Sequence, residues 1–433
     1  MKEMSVLKKL GCVVEGVFLF GTVCFGQGGQ APEWFYWFVD HPSSPLVLPI
    51  GSPGRILVGD FNKDGNADLI VDAHQGPYTL VLGPDYGPAK VHIVMLLGDG
   101  YGGFGAPTVV LETKGSVGPV LVADVNGDGH QDLVLAHLHI VKEPKTEIQA
   151  MLGDGRGGLQ RPVTLFTFPD ILMNMTVGDV NGDGHLDFVL AHNLDQAVSI
   201  FLGDRRGGFT YRGSIRLGRE PDHDPYKVVL ADFNRDGHLD LAVAGEVYEA
   251  DDRRTRFVRV LLGDGTGDFP HTSFFIAFEP PEDRPPVWIN LIAVDYNHDG
   301  YVDLITSRQD KMIVLLGRGD GAFENKDLFW VGDPRPKVVS VTDFNGDGCW
   351  DWVIALNSAP WFGLNVIIAN CAAFVGRQFW WSSRVFVAGV VVADLNNDGS
   401  PDVTYATGGV DRHGNMVTYL EWLLNNIRRG ARK

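Results

Sequence analysis

The chain has 433 residues, 45% of them apolar, and carries 36 Lys and Arg against 54 Asp and Glu for a net charge of -18. That composition supplies a core but no basic face, which argues against a nucleic-acid partner. Four cysteines in this length cannot be the framework of the fold.

The N-terminus sets Lys2, Lys8 and Lys9 before an apolar run, GVFLFGTVCFG, from Gly16 to Gly26. The run is too short to span a bilayer and reads as a secretory signal peptide over residues 1–26, leaving 27–433 as the mature chain. Cleavage after Gly26 fits the small-residue rule, with Cys24 at the minus-three position. Val23 before Cys24 argues against a lipoprotein anchor. No later stretch is long and apolar enough for a transmembrane helix. The expected location is secreted or in the cell envelope or periplasm. The mature chain keeps Cys349 and Cys371, as one disulfide or as two free thiols.

Residues 34–50, WFYWFVDHPSSPLVLPI, precede a repeated phrase that dominates the rest of the chain. DFNKDGNAD starts at Asp60, DVNGDGHQD at Asp124, DVNGDGHLD at Asp179 and DFNRDGHLD at Asp232. DYNHDGYVD follows at Asp295, DFNGDGCWD at Asp343 and DLNNDGSPD at Asp394. All seven obey D-x-N-x-D-G-x-x-D, with starts separated by 64, 55, 53, 63, 48 and 51 residues.

An apolar strand precedes the phrase, as in ILVG before Asp60 and VVVA before Asp394, and another follows each copy, as in LIVDA and LVLAH. A third strand ends in a second phrase, LLGDGYGGF at Leu96, MLGDGRGGL at Met151, FLGDRRGGF at Phe201, LLGDGTGDF at Leu261 and LLGRGDGAF at Leu315. Its glycines suit a tight hairpin, after which a fourth strand begins. Each unit is therefore a four-stranded antiparallel sheet that needs neighbours on both faces. The expectation is an all-β, seven-bladed β-propeller. The last unit ends at its third strand, LEWLLNN, so residues 34–50 are expected to supply its missing outer strand.

With these phrases, and with FGAP spelled out at Phe104 to Pro107, the chain resembles the FG-GAP or VCBS repeat family of calcium-bearing propellers, found in integrin alpha chains and exported bacterial proteins. The resemblance implies a Ca2+ in each loop, held by side chains at positions 1, 3, 5 and 9 and a main-chain carbonyl at position 7. The first set is Asp60, Asn62, Asp64, Asn66 and Asp68. Blades two and three supply Asp124, Asn126, Asp128, His130 and Asp132, then Asp179, Asn181, Asp183, His185 and Asp187. Blades four and five supply Asp232, Asn234, Asp236, His238 and Asp240, then Asp295, Asn297, Asp299, Tyr301 and Asp303. Asp343, Asn345, Asp347, Cys349 and Asp351 form the sixth set, and Asp394, Asn396, Asp398, Ser400 and Asp402 the seventh.

An EF-hand would need an acid at position 12, where Val71, Leu135, Leu190, Val243, Thr306, Ile354 and Tyr405 stand instead. Magnesium would take fewer protein ligands and keep more water. Sites so nearly filled by one loop read as structural, unlike catalytic metals with an open position. Chelation is expected to lower stability.

The opposite rim holds the connections between second and third strands, and it is the expected working face. Segments 72–92, 137–147, 245–257 and 356–364 fall there, with Trp361 and Phe362 in the last. The blade junctions 219–226 and 279–288 add Trp288. Exposed aromatics beside acids suit sugar stacking, whereas in the plainer reading Trp361 and Trp288 pack against neighbouring loops. His74, His137 and His192 recur near the end of the second strand, either as structural copies or as a functional set. No nucleophile elbow, phosphate loop or zinc signature is present.

The leading expectation is an exported, monomeric, calcium-binding interaction or adhesion module that binds a glycan or surface protein through this rim. The alternative is a polysaccharide lyase drawing on His137, His139, His192, Arg253, Arg254 and Arg308, although nothing in their spacing brings them together.

Overall fold

The computed structural model describes residues 38–75, 90–139, 144–192, 194–204, 206–217, 223–248, 254–278, 290–308, 311–330, 336–358, 361–370, 373–382, 387–413 and 415–426. Residues 1–26, expected as a signal peptide, Arg253, the 279–288 junction with Trp288, and Cys371 lie outside them.

Blade one runs Ser52–Gly59, Asp68–Gln75, Lys90–Leu96 and Thr108–Lys114, hydrogen-bonded in that order, and five further sheets repeat the pattern in sequence order. The seventh combines Val387–Ala393, Asp402–Val410 and Met416–Asn425 with strands from the start of the chain. The fold is a seven-bladed propeller of antiparallel sheets, and the closure expected from residues 34–50 is present. The closing strand comes in two pieces, however. Phe38–Asp40 pairs with Leu423 to Asn425, and Leu46–Leu48 pairs with Thr418 to Leu420. Pro42 and Pro45 fall in the gap and have no N–H to offer a ladder. There the Ser44 hydroxyl accepts the Trp422 N–H at 3.3 Å.

The apolar residues fall into seven clusters, one at each junction between neighbouring blades. In blade one, Leu69 and Val71 point back to Leu420 and Trp422 of blade seven, while Ile70 points forward to Leu133 and Leu135 of blade two. Burial on both faces explains why the second strands read as unbroken apolar runs, with Leu69, Ile70 and Val71 all at most 1% exposed. The cluster joining blades seven and one shows that the ring closes by packing as well as by strand pairing. First strands line the centre, where Arg55, Asn174, Lys227, Gly389 and Asn290, just before its strand, border a cavity.

The strands reach further toward the opposite rim than their composition suggests. Segment 245–257 is mostly strand, with Gly245 paired to Phe257 and Glu246 to Arg256. Segment 356–364 is a hairpin, not an open loop, because Ser358 pairs with Trp361 and Asn357 with Phe362. Polar residues continue these strands because they find partners across the ladder. Glu246, 2% exposed, has its carboxylate 3.7 Å from the Arg256 guanidinium.

Candidate metal centres and the opposite rim

All seven acidic loops join a first strand to a second and so share one rim, and they hold one set of hydrogen bonds in common. In the first loop, Asp60 Oδ1 accepts the Asp64 N–H at 3.2 Å and Oδ2 the Gly65 N–H at 3.0 Å. Asn62 Oδ1 accepts the Asp64 N–H at 3.0 Å while its Nδ2 donates to Asp64 Oδ2 at 2.9 Å. Asp64 Oδ1 accepts the Asn66 N–H at 2.8 Å. The last loop repeats this at Asp394, Asn396, Asp398 and Ser400.

The backbone is left-handed at position 6, always glycine, and also at position 4, where Lys63, Arg235, His298 and Asn397 take φ near 60°. The carboxylates at positions 1 and 5 and the amide oxygen at position 3 thus converge on one small turn. Each carboxylate has about four lone-pair sites and uses only some of them on N–H groups, so the donor set is all oxygen and fits a calcium-type cation.

The ninth-position aspartate has a second task that the repeat template does not reveal. Asp68 Oδ2 accepts the Phe61 N–H and Oδ1 the Gly98 N–H, both at 2.8 Å, tying its own loop to the turn between strands three and four. Asp132, Asp187, Asp240, Asp303, Asp351 and Asp402 likewise accept an N–H at or just after the end of their third strands, from Gly153, Gly203, Gly263, Gly317, Ala369 and Asn425. All seven are 0% exposed. Burial pushes their carboxyls up, to about 7 for Asp351 and Asp402, against the opposing pull of these N–H bonds. At position 5 the main-chain bond from Asn66 draws Asp64 down.

The same loops also bind blade to blade. Gly157 of blade two donates to the Phe61 carbonyl at position 2 of the first loop, at 3.0 Å. Gly102, Gly267 and Gly321 make the equivalent bonds to Leu395, Val180 and Phe233. Gly102 takes φ 87°, a left-handed backbone that favours glycine at this contact. Blades six and seven lack the glycine phrase and substitute side chains: Trp350 Nε1 donates to the Asp295 carbonyl at 2.7 Å, and Asn425 Nδ2 to the Phe344 carbonyl at 2.8 Å. Cys349, at position 7 of the sixth loop, is disulfide-bonded.

The opposite rim has no such uniformity. In blade one, Arg55 Nε lies 2.9 Å from Asp72 Oδ2, and its Nη1 also bonds the Gly118 carbonyl of blade two. In blade three, His192 Nδ1 is 2.6 Å from Asp170 Oδ2, and its Nε2 is 2.9 Å from Ser199 Oγ. Asp170 also accepts the N–H groups of Leu194 and Asp195 at 3.1 and 3.0 Å. His192 and Asp170 are each 1% exposed, so His192 is a buried, fully bonded clamp on its hairpin. Burial opposes ionisation of Asp170, yet the His192 hydrogen bond and two main-chain N–H groups hold its carboxyl below the ordinary range.

His137, at the matching place in blade two, is only partly buried and sits beside His139 and Glu147. Burial, then the neighbouring His139, lower its proton affinity. Arg254 and Arg308 begin and end strands of blades four and five, whereas His137, His139 and His192 belong to blades two and three. Glu147, Asp170 and Arg55 are the residues that sequence reasoning missed. The alternating HLH of residues 137–139, two histidines on one strand face, was the signal available for the first of these.

Residues 179–243 and 295–354 match the family model described as the FG-GAP-like repeat. No curated protein matches the chain. Among solved structures, BBS1N in complex with ARL6DN is 8% identical over 91% of this chain and 98% of that one, with a TM-score of 0.51. An Agrocybe aegerita lectin, described as recognising non-reducing terminal N-acetylglucosamine, is 17% identical over 77% and 81% of the two chains, at a TM-score of 0.49. A Penicillium chrysogenum alpha-L-arabinanase is 10% identical over 88% and 98%, at 0.45. At 8% identity the likeness to BBS1N is one of fold alone.

Proposed function

The chain belongs to the FG-GAP repeat family, and from that premise we propose that it is an exported, calcium-braced interaction module. Its partner is a glycan or surface protein, taken at the rim opposite the acidic loops. The observation that carries the calcium reading is the sevenfold recurrence of one all-oxygen turn with one hydrogen-bond pattern. Asp60, Asn62, Asp64, the Asn66 carbonyl and Asp68 hold the first ion, and the matching residues hold the other six. The ion offsets like charges crowded into one turn and braces the contact with the next blade.

Export is supported by the N-terminal segment and by the disulfide at Cys349, which persists in oxidising compartments. Binding at the opposite rim is supported by the difference between blades there, since a repeat that diverges at one end does so where its scaffold does not constrain it. The lyase reading loses one of its bases, because His192 is buried with both nitrogens engaged.

The test is a glycan-array screen of residues 27–433 with calcium and again after chelation. Calcium-dependent binding to a defined sugar is the expected result. A blank array from a folded, calcium-loaded chain would transfer the role to protein partners.

A further inference from the structure

Blade two carries a chemically different donor set. His137 and His139 stand two residues apart on the strand Asp132–His139, so their side chains leave one face. Glu147 lies directly across from His137 in register, and Lys145 across from His139. The two imidazole centroids are 4.8 Å apart, and Glu147 Oε1 is 3.2 Å from His139 Nε2. That nitrogen is shielded from solvent and makes no hydrogen bond, because the nearby carboxylate oxygen is not aligned for one.

We propose that His137, His139 and Glu147 form a three-ligand site for a borderline divalent cation of the zinc type, on the rim opposite the acidic loops. Two imidazoles and a carboxylate suit zinc, whereas the all-oxygen turns suit calcium. The three ligand atoms lie within 4.8 Å of one another. Tetrahedral zinc with bonds of about 2.0–2.1 Å needs them about 3.3 Å apart, a difference that side-chain rotation closes.

The surroundings already orient the ligands. His137 hydrogen-bonds the Lys114 backbone, the kind of outer bond that fixes a metal-bound imidazole, and Gln149 Nε2 holds Glu147 Oε2 at 3.2 Å. Lys145 Nζ, 3.0 Å from Glu147 Oε1, competes with the cation, but its side chain is 44% exposed and can withdraw into water. A fourth position stays open for water or an oxygen of a bound molecule. The cluster of Asp170, His192 and Asp195 in blade three offers no such site, since His192 spends both nitrogens on protein partners.

The test is a cobalt titration of the full chain, made without a polyhistidine tag and saturated with calcium. Cobalt held by two imidazoles and a carboxylate at low coordination number shows strong visible ligand-field bands. In an oxygen-only loop it is six-coordinate and shows weak ones, so a failure of the calcium reading leaves the result interpretable. One equivalent is expected to produce the strong bands, zinc to abolish them and excess calcium to leave them unchanged.

His139→Gln and Glu147→Gln should each weaken zinc binding by more than about 100-fold, since losing even an outer-shell partner costs about 10–100-fold. Lys145→Met should tighten it about twofold to fivefold by removing a competing surface charge. His137→Gln serves as a third ligand variant if one of the others fails to fold. Absence of the strong bands from the folded chain, or their persistence in the folded Gln variants, would overturn the site.

Discussion

The two rims of this ring are built on opposite principles. At the acidic rim one turn is copied seven times, and every copy repeats the same hydrogen bonds down to the atom, including the position-2 N–H that the ninth-position aspartate accepts within its own loop. At the other rim the same strands end in an Arg–Asp pair in blade one, an open His–His–Glu set in blade two, a sealed Asp–His–Ser clamp in blade three and a Glu–Arg pair in blade four. The contrast between His137 and His192 is instructive, since both stand at one place in the repeat. What separates them is Asp170, delivered from the blade junction to the hairpin of blade three. A repeat position therefore fixes where a side chain stands, while the junction decides whether it is consumed by structure.

The largest expected effect falls on the acidic rim. A ligand present at a hundred times its dissociation constant stabilises by about 2.7 kcal/mol per site. Chelating the seven proposed calcium ions should lower the melting temperature by about 10 °C or more in scanning calorimetry. An unchanged melting temperature would remove the metal from the account.

Next come the buried latches. Asp402→Ala orphans the N–H groups of Leu395 and Asn425. The expected loss is about 2–6 kcal/mol in urea unfolding, at about 1–3 kcal/mol for each unsatisfied donor. Asp398→Ala, on the exposed part of the same loop, should cost far less in metal-free protein and separate the latch from the proposed calcium ligand.

On the opposite rim the comparison sharpens to a pair of variants. Asp170→Ala takes the partner from His192 Nδ1 and from the Leu194 and Asp195 N–H groups and should cost about 3 kcal/mol or more, at about 1–3 kcal/mol for each, whereas His139→Ala should stay within about 0.5 kcal/mol. Equal losses would show that blade two's set is structural after all.

Acidity gives a smaller effect whose sign depends on calcium. Asp351 and Asp402, pushed up to about 7 by burial, hold their protons more tightly folded than unfolded. Their contribution is complete below the unfolded value of about 3.9 and is lost as pH rises toward 7. Chelated protein should thus have a higher urea midpoint at pH 5.5 than at pH 7.5. Calcium-loaded protein should reverse the order, because binding requires the ionised carboxylates.

A further small effect concerns the contact between blades six and seven. Asn425→Ala removes the side-chain bond to the Phe344 carbonyl and should cost about 0.5–1.5 kcal/mol, read as a lower unfolding midpoint.

Much of this was legible in the sequence by itself. Seven spaced copies of D-x-N-x-D-G-x-x-D, flanked by apolar runs, determine the strand count, the blade and the ring. A four-stranded sheet with two apolar faces has no stable state except between neighbours. The missing fourth strand of the last blade likewise pointed to residues 34–50, although the prolines that split it weigh on its pairing only in three dimensions.

Tertiary structure alone decided the rest. It assigned the ninth aspartate its latch, because the N–H groups it captures lie up to 30 residues away in chain order, as from Asp68 to Gly98. It replaced absent glycines with Trp350 and Asn425. It also sealed His192 while leaving His137 open, since local pattern fixes which face a side chain leaves but not what a distant segment brings to meet it.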